Sequence, residues 1–110
     1  MRTARVLWPA LALLGTATAA LPDGVTPARE TELIRIVRHD CGSCHGLTLN
    51  GGLGPPLAAA ALAGKPADFL KYTILYGRPG TPMPPWRGLL TEADAAWIAA
   101  RLAKGFPDAR

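Results

Sequence analysis

The segment Cys41-Gly42-Ser43-Cys44-His45 constrains this chain more than any other feature. On a helical turn Cys41 and Cys44 are three apart and His45 is four beyond Cys41, so the three side chains share one face. Such a face can form two thioether bonds to the vinyl groups of a haem while the imidazole reaches the iron, and C-x-x-C-H is the pattern of c-type haem attachment. Other uses of paired cysteines fit less well. A thioredoxin-like pair belongs in alternating strands and helices, and no run here alternates as a strand does. A structural zinc site wants four ligands; besides the box only His39 is at hand, and it lies too close in sequence to fold back. A plain disulfide suits an oxidising compartment but leaves the adjacent histidine without a purpose.

The N-terminus points to such a compartment. Arg2 and Arg5 precede the short apolar stretch Val6 to Leu14, and Ala17-Thr18-Ala19 supplies an A-x-A cleavage signal. The stretch is short and interrupted by proline, where a membrane span wants about 20 apolar residues. The expectation is a secretory signal peptide over residues 1–19, cleaved near Ala19, and one soluble domain over 20–110 in the periplasm. No stable membrane anchor is expected. The full chain has 12 Lys and Arg against 8 Asp and Glu, a net charge of +4. Removing Arg2 and Arg5 leaves ten basic and eight acidic side chains, near neutrality once two haem propionates are added. No basic cluster or stripe argues for nucleic acid.

Three helical stretches are predicted, with a fourth short piece. The first runs from Pro27 to Asp40, with Thr26 as N-cap, Pro27 at the first helical position and Leu33, Ile34 and Val37 as its apolar face. The second runs from Pro66 to about Tyr76, with Phe69, Leu70, Thr73 and Ile74 at helical spacing and Gly77 to stop it. The third starts at Thr91-Glu92-Ala93-Asp94, a capping box with Asp in place of Glu, turns Trp97, Ile98 and Leu102 inward and ends at Lys104-Gly105. Leu57 to Ala63 is the possible fourth. The Gly/Pro loops between, 46–56 and 77–88, are long for so small a domain, and such loops are usually functional. An internal haem would supply apolar volume that a chain this short lacks.

His45 is the proximal ligand by position. A metal-bound histidine normally donates its other ring N–H to a carbonyl or carboxylate, and the Gly51-Gly52-Leu53-Gly54-Pro55 loop can bring a carbonyl there, that of Pro55 being favoured. Once Met1 has gone with the signal, Met83 is the sole methionine. It sits in Gly80-Thr81-Pro82-Met83-Pro84-Pro85-Trp86, where the prolines stiffen the backbone on both sides. Methionine is commonly core filler, but one placed between prolines reads better as the distal ligand. His39, Lys65 and Lys71 are weaker competitors for that place. Tyr72, Tyr76 and Trp86 suit a haem pocket or ordinary packing alike, and Arg78 or the Trp86 ring N–H are candidate donors to a propionate.

The order of helix, C-G-S-C-H-G, G-L-G-P, helix, P-M-P-P-W and final helix resembles the class I cytochromes c of bacteria. Residues 41–48 and 77–86 look like the NirC-type cytochromes of denitrifiers, small proteins encoded with the haem cd-type nitrite reductase. The resemblance implies an all-α class I cytochrome c fold, three to four helices around one covalently attached haem c, with the first and last helices crossing. It maps a proximal His, a Met and a Pro carbonyl onto His45, Met83 and Pro55. His/Met ligation closes both axial positions, so the expected function is a monomeric, non-enzymatic electron carrier serving redox partner proteins, with nitrite reductase as the candidate partner. Two alternatives stay open: an accessory role in maturing that reductase or its special haem, and a ligand-binding or sensor haem protein.

Overall fold

The structure, a computed structural model, describes residues 24–106 and the isolated positions 4, 9, 10, 12 and 15. Ala19 and most of the expected signal segment lie outside the described residues, as do residues 107–110. Among the described residues the regular structure is entirely helical: α1 (Pro27–Ile36), a π-helical turn (Val37–Cys41), α2 (Gly42–His45), α3 (Ala59–Leu62), α4 (Ala67–Tyr76) and α5 (Glu92–Lys104). No helix among them is long and apolar enough to cross a membrane.

Local signals set the helix ends. Thr26 caps α1, its hydroxyl accepting from the Arg29 N–H at 3.2 Å, with Pro27 next. Thr91 and Asp94 form the reciprocal capping box of α5: the Asp94 N–H donates to Thr91 Oγ1 at 3.1 Å and the Thr91 N–H to Asp94 Oδ2 at 3.0 Å. Gly77, at φ 67°, ends α4. The first helix departs from expectation. The α-helical pattern stops at Ile36, and the next turn is π-helical, the Gly42 N–H reaching back to the Val37 carbonyl. Val37 is buried one ordinary α-turn beyond Leu33, its N–H bonded to the Leu33 carbonyl, and the wide turn accommodates one additional residue between it and α2.

The core gathers Leu33, Val37, Leu49, Leu62, Leu70, Leu90, Ile98, Ala99 and Leu102. α4 lies along α5, and α3 rests on α5 as well. α1 meets α5 through side chains. The Arg29 guanidinium grips Asp94 with two bonds, Nη2 to Oδ2 at 2.8 Å and Nε to Oδ1 at 3.3 Å, and the same Nη2 donates to the Leu89 carbonyl. Trp97 Nε1 donates to Glu30 Oε1 at 3.2 Å. The first and last helices are thus clasped at their N-terminal ends.

Asp94 both caps α5 and anchors α1, and its side chain is only 6% exposed. The bond from Arg29, aided by the Thr91 backbone and opposed by burial, holds its carboxyl below the usual carboxylate range. Asp94→Asn should therefore cost about 2 kcal/mol of stability at neutral pH. The sign of the pH dependence follows. The folded pKa lies below the unfolded value of about 3.9, so the unfolded chain takes up the proton first. The carboxylate's contribution is complete above that value and disappears as pH falls through the folded pKa. Denaturant titrations of both proteins between about pH 6 and pH 2 should show their stabilities converging at the acid end; a gap independent of pH would refute this role.

Candidate haem-binding site

The box lies where the π turn passes into α2. Cys41 and Cys44 are not joined to each other by a disulfide; Cys41 is half-buried and Cys44 exposed. His45 is nearly buried, 9% exposed, and its Nδ1 lies 2.7 Å from the Pro55 carbonyl oxygen. A carbonyl only accepts, so Nδ1 carries the proton and Nε2 keeps its lone pair. That is the tautomer a metal needs when it binds through Nε2.

The loop after the box is folded back onto it by backbone bonds. The Gly51 N–H donates to the His45 carbonyl at 2.8 Å and the Gly54 N–H to the Cys44 carbonyl at 2.7 Å. Gly54 lies against the imidazole: a Cβ there would sit 2.8 Å from both Cε1 and Nδ1. Any side chain at position 54 would compete with the ring for space. Of the glycines in this loop, Gly54 is the one that faces the imidazole.

Met83 lies half-buried on the second loop. Its carbonyl accepts from the Arg78 N–H at 3.2 Å, and its own N–H donates to Thr81 Oγ1 at 3.3 Å. Trp86 secures the far end. Its N–H donates to the Ile74 and Leu75 carbonyls at 3.1 Å, and the Arg87 N–H to the Leu75 carbonyl at 3.1 Å, satisfying carbonyls that the end of α4 leaves without helical partners. Gly77 provides the near seat: a Cβ there would be 2.6 Å from the Met83 carbonyl oxygen. The sequence marked Gly77 only as a helix stop; its role under the strap depends on a contact across six positions.

Of the other candidates, the Trp86 side chain packs half-buried against the core, and Arg78 is exposed beside the strap. His39 is exposed on the π turn. Lys65 lies over the Phe69 ring and Lys71 over the Tyr72 ring. Tyr72 and Tyr76, 45% and 51% exposed, stack on the outer face of α4 and are not part of the core.

The thiol pair, the imidazole with its tautomer set by Pro55 and the clearance left by Gly54 together fit a haem held through the box. Comparisons with known proteins agree. The family model described as "Cytochrome C oxidase, cbb3-type, subunit III" matches residues 28–100. Cytochrome c55X of Paracoccus denitrificans (strain Pd 1222) is 59% identical over 92 residues, covering 84% of this chain and 86% of its own. The solved structure of the c-type cytochrome NirC superposes with a TM-score of 0.71 at 53% identity, covering 72% of this chain and 93% of that one. Dihydro-haem d1 dehydrogenase NirN, solved in complex with DHE, superposes with a TM-score of 0.61 at 34% identity, covering 66% of this chain but 16% of that one. The chain belongs to the class I cytochromes c, as a NirC-like member with the small all-α fold of that family. It is a monohaem cytochrome whose cofactor is a covalently bound c-type haem.

Proposed function

We propose that the protein is a periplasmic single-electron carrier, not an enzyme, exported by cleavage near Ala19, and that it delivers electrons to a haem cd-type nitrite reductase. In this reading Cys41 and Cys44 would carry the thioethers, and His45 Nε2 and Met83 Sδ would be the chain's ligands to the iron. Arg78 and Trp86 border the site, with Arg78 placed in solvent to meet a propionate. The bound haem supplies reversible one-electron exchange. The chain's contribution would be two ligating side chains, His45 and Met83, which would leave substrate no open place on the metal.

The observation that carries this reading is the strap. The sole methionine among the described residues is held by backbone bonds on both sides, between Gly77 and the end of α4. A sulfur ligand restrained in this way changes position little between oxidation states, which favours electron transfer over ligand exchange. The test is nitrite reductase turnover with this cytochrome, reduced, as the sole electron donor. Turnover dependent on the cytochrome is expected; a reductase that stays oxidised would refute the proposed partner.

The likeness to a dihydro-haem d1 dehydrogenase favours a second reading, in which the cytochrome serves the maturation of the reductase's special haem. Deleting the gene distinguishes the two. A maturation role predicts a reductase lacking its special haem, whereas a carrier role predicts a complete reductase with reduced flux. The sensor reading requires an open iron and predicts rapid carbon monoxide binding to the reduced protein.

A further inference from the structure

Phe69, Tyr72 and Tyr76 occupy one face of α4, with Lys65 just ahead of the helix at the same spacing. The opposite side of the helix carries Leu70 into the core, and Leu75 is buried as well. The three rings are 52%, 45% and 51% exposed. Tyr72 and Tyr76 stack with centroids 6.1 Å apart. Each ring has its own cation: Lys65 Nζ lies 5.7 Å from the Phe69 centroid, Lys71 Nζ 4.5 Å from Tyr72 and the Arg87 guanidinium carbon 5.4 Å from Tyr76.

The charge of the described domain is concentrated here. Residues 24–64 hold three basic and three acidic side chains, and residues 91–106 hold two of each. Residues 65–90 hold Lys65, Lys71, Arg78 and Arg87 against Asp68 alone. The whole positive excess therefore belongs to α4 and the strap that follows it. Aromatic rings and arginine are the side chains most enriched at protein interfaces, and a rim of one sign steers a partner of the other.

We propose that this outer face of α4 is the docking surface for an acidic patch on a redox partner protein, an inference that rests on the electron-carrier reading. Carboxylates of the partner would pair with Lys65 and Arg87, while the rings between them are removed from water. The face is continuous with the redox site, because Arg87 and Trp86 join the end of α4 to the Met83 strap. Charge decides against a second copy of this chain, since a two-fold interface through this face would oppose like charges. Size decides against a lipid surface: α4 has 10 residues, and its half-covered rings offer little apolar area for insertion.

The test uses the intact holoprotein and two double variants, Lys65→Glu with Arg87→Glu and Tyr72→Ala with Tyr76→Ala. Stopped-flow reduction of the haem cd-type nitrite reductase should slow about tenfold with either double variant at low salt. The charge-reversed protein should also lose the salt dependence seen in the wild type. Reduction of all three cytochromes by hydroquinone, a neutral small molecule, should be equal. In parallel, poly-L-glutamate titrated into the isotope-labelled wild type should shift amide signals within residues 65–87. Unaltered reductase kinetics in both variants, or a shift map centred elsewhere, overturns the proposal. Stronger binding to phosphatidylglycerol vesicles than to polyglutamate, or a dimer that the tyrosine variant abolishes, overturns it in favour of lipid or self-association. A correct shift map with no electron delivery to the reductase refutes nitrite reductase as the partner and leaves the acidic-ligand face standing.

Discussion

Met83→Ala is expected to abolish the far-red sulfur-to-iron band of the ferric protein and to lower its reduction potential by on the order of 200 mV, within the roughly 0.8 V that axial ligands span. The reduced variant should also bind carbon monoxide rapidly, which the wild type should do poorly. The structure explains why so large a functional change should leave the fold intact. Met83 is held through its backbone, by the Arg78 N–H and by Thr81 Oγ1, and those bonds do not involve the thioether. Losing a half-buried side chain should cost no more than about 2 kcal/mol, and helical circular dichroism should be unchanged. A ferric spectrum that keeps its far-red band in Met83→Ala would refute the assignment of this sulfur to the iron.

Gly54→Ala should cost about 3 kcal/mol of stability, from overpacking together with a weakened hydrogen bond. The added methyl would lie 2.8 Å from His45 Cε1 and Nδ1 and 3.3 Å from Cγ. Ordinary relaxation is blocked, because the next residue along, Pro55, accepts the bond from that same ring. Moving the loop away lengthens the bond, and rotating the imidazole breaks it. With the haem still covalently attached, the loss should appear as a lower guanidinium midpoint and a heterogeneous ferric spectrum. Gly88→Ala is the matched control: nothing lies within 4 Å of its added methyl, so a change within about 0.5 kcal/mol is expected. Equal effects of the two substitutions would mean that the Gly54 contact does not matter.

Much of the helical framework was legible in the sequence because helix ends are written in short-range chemistry. Thr26 with Pro27, Thr91 with Asp94, and Gly77 each act within a few residues, and each marks an observed boundary. The π turn was not legible. A wide turn leaves no distinctive pattern of side chains, and 37–41 reads as ordinary helix until the backbone bonds are seen. The orientation of α4 was ambiguous for another reason. With Phe69, Leu70, Tyr72, Ile74, Leu75 and Tyr76 in 10 residues, both sides of the helix are apolar enough to be buried. Phe69 and Leu70 both belong to the helical spacing read from the sequence, yet Phe69 is 52% exposed while Leu70 joins the core. The Arg29–Asp94 clasp spans 65 positions, beyond what any local pattern records.

By itself, the sequence determined the box at 41–45, the all-α class and the single strap methionine, all of which depend on residue type and short spacing. Only the tertiary structure decided which glycine leaves room for the His45 ring, how the strap is seated and which aromatic face of α4 stays in solvent. Each of those depends on atoms brought together from distant parts of the chain, where packing and hydrogen-bond geometry select among arrangements that local chemistry permits equally.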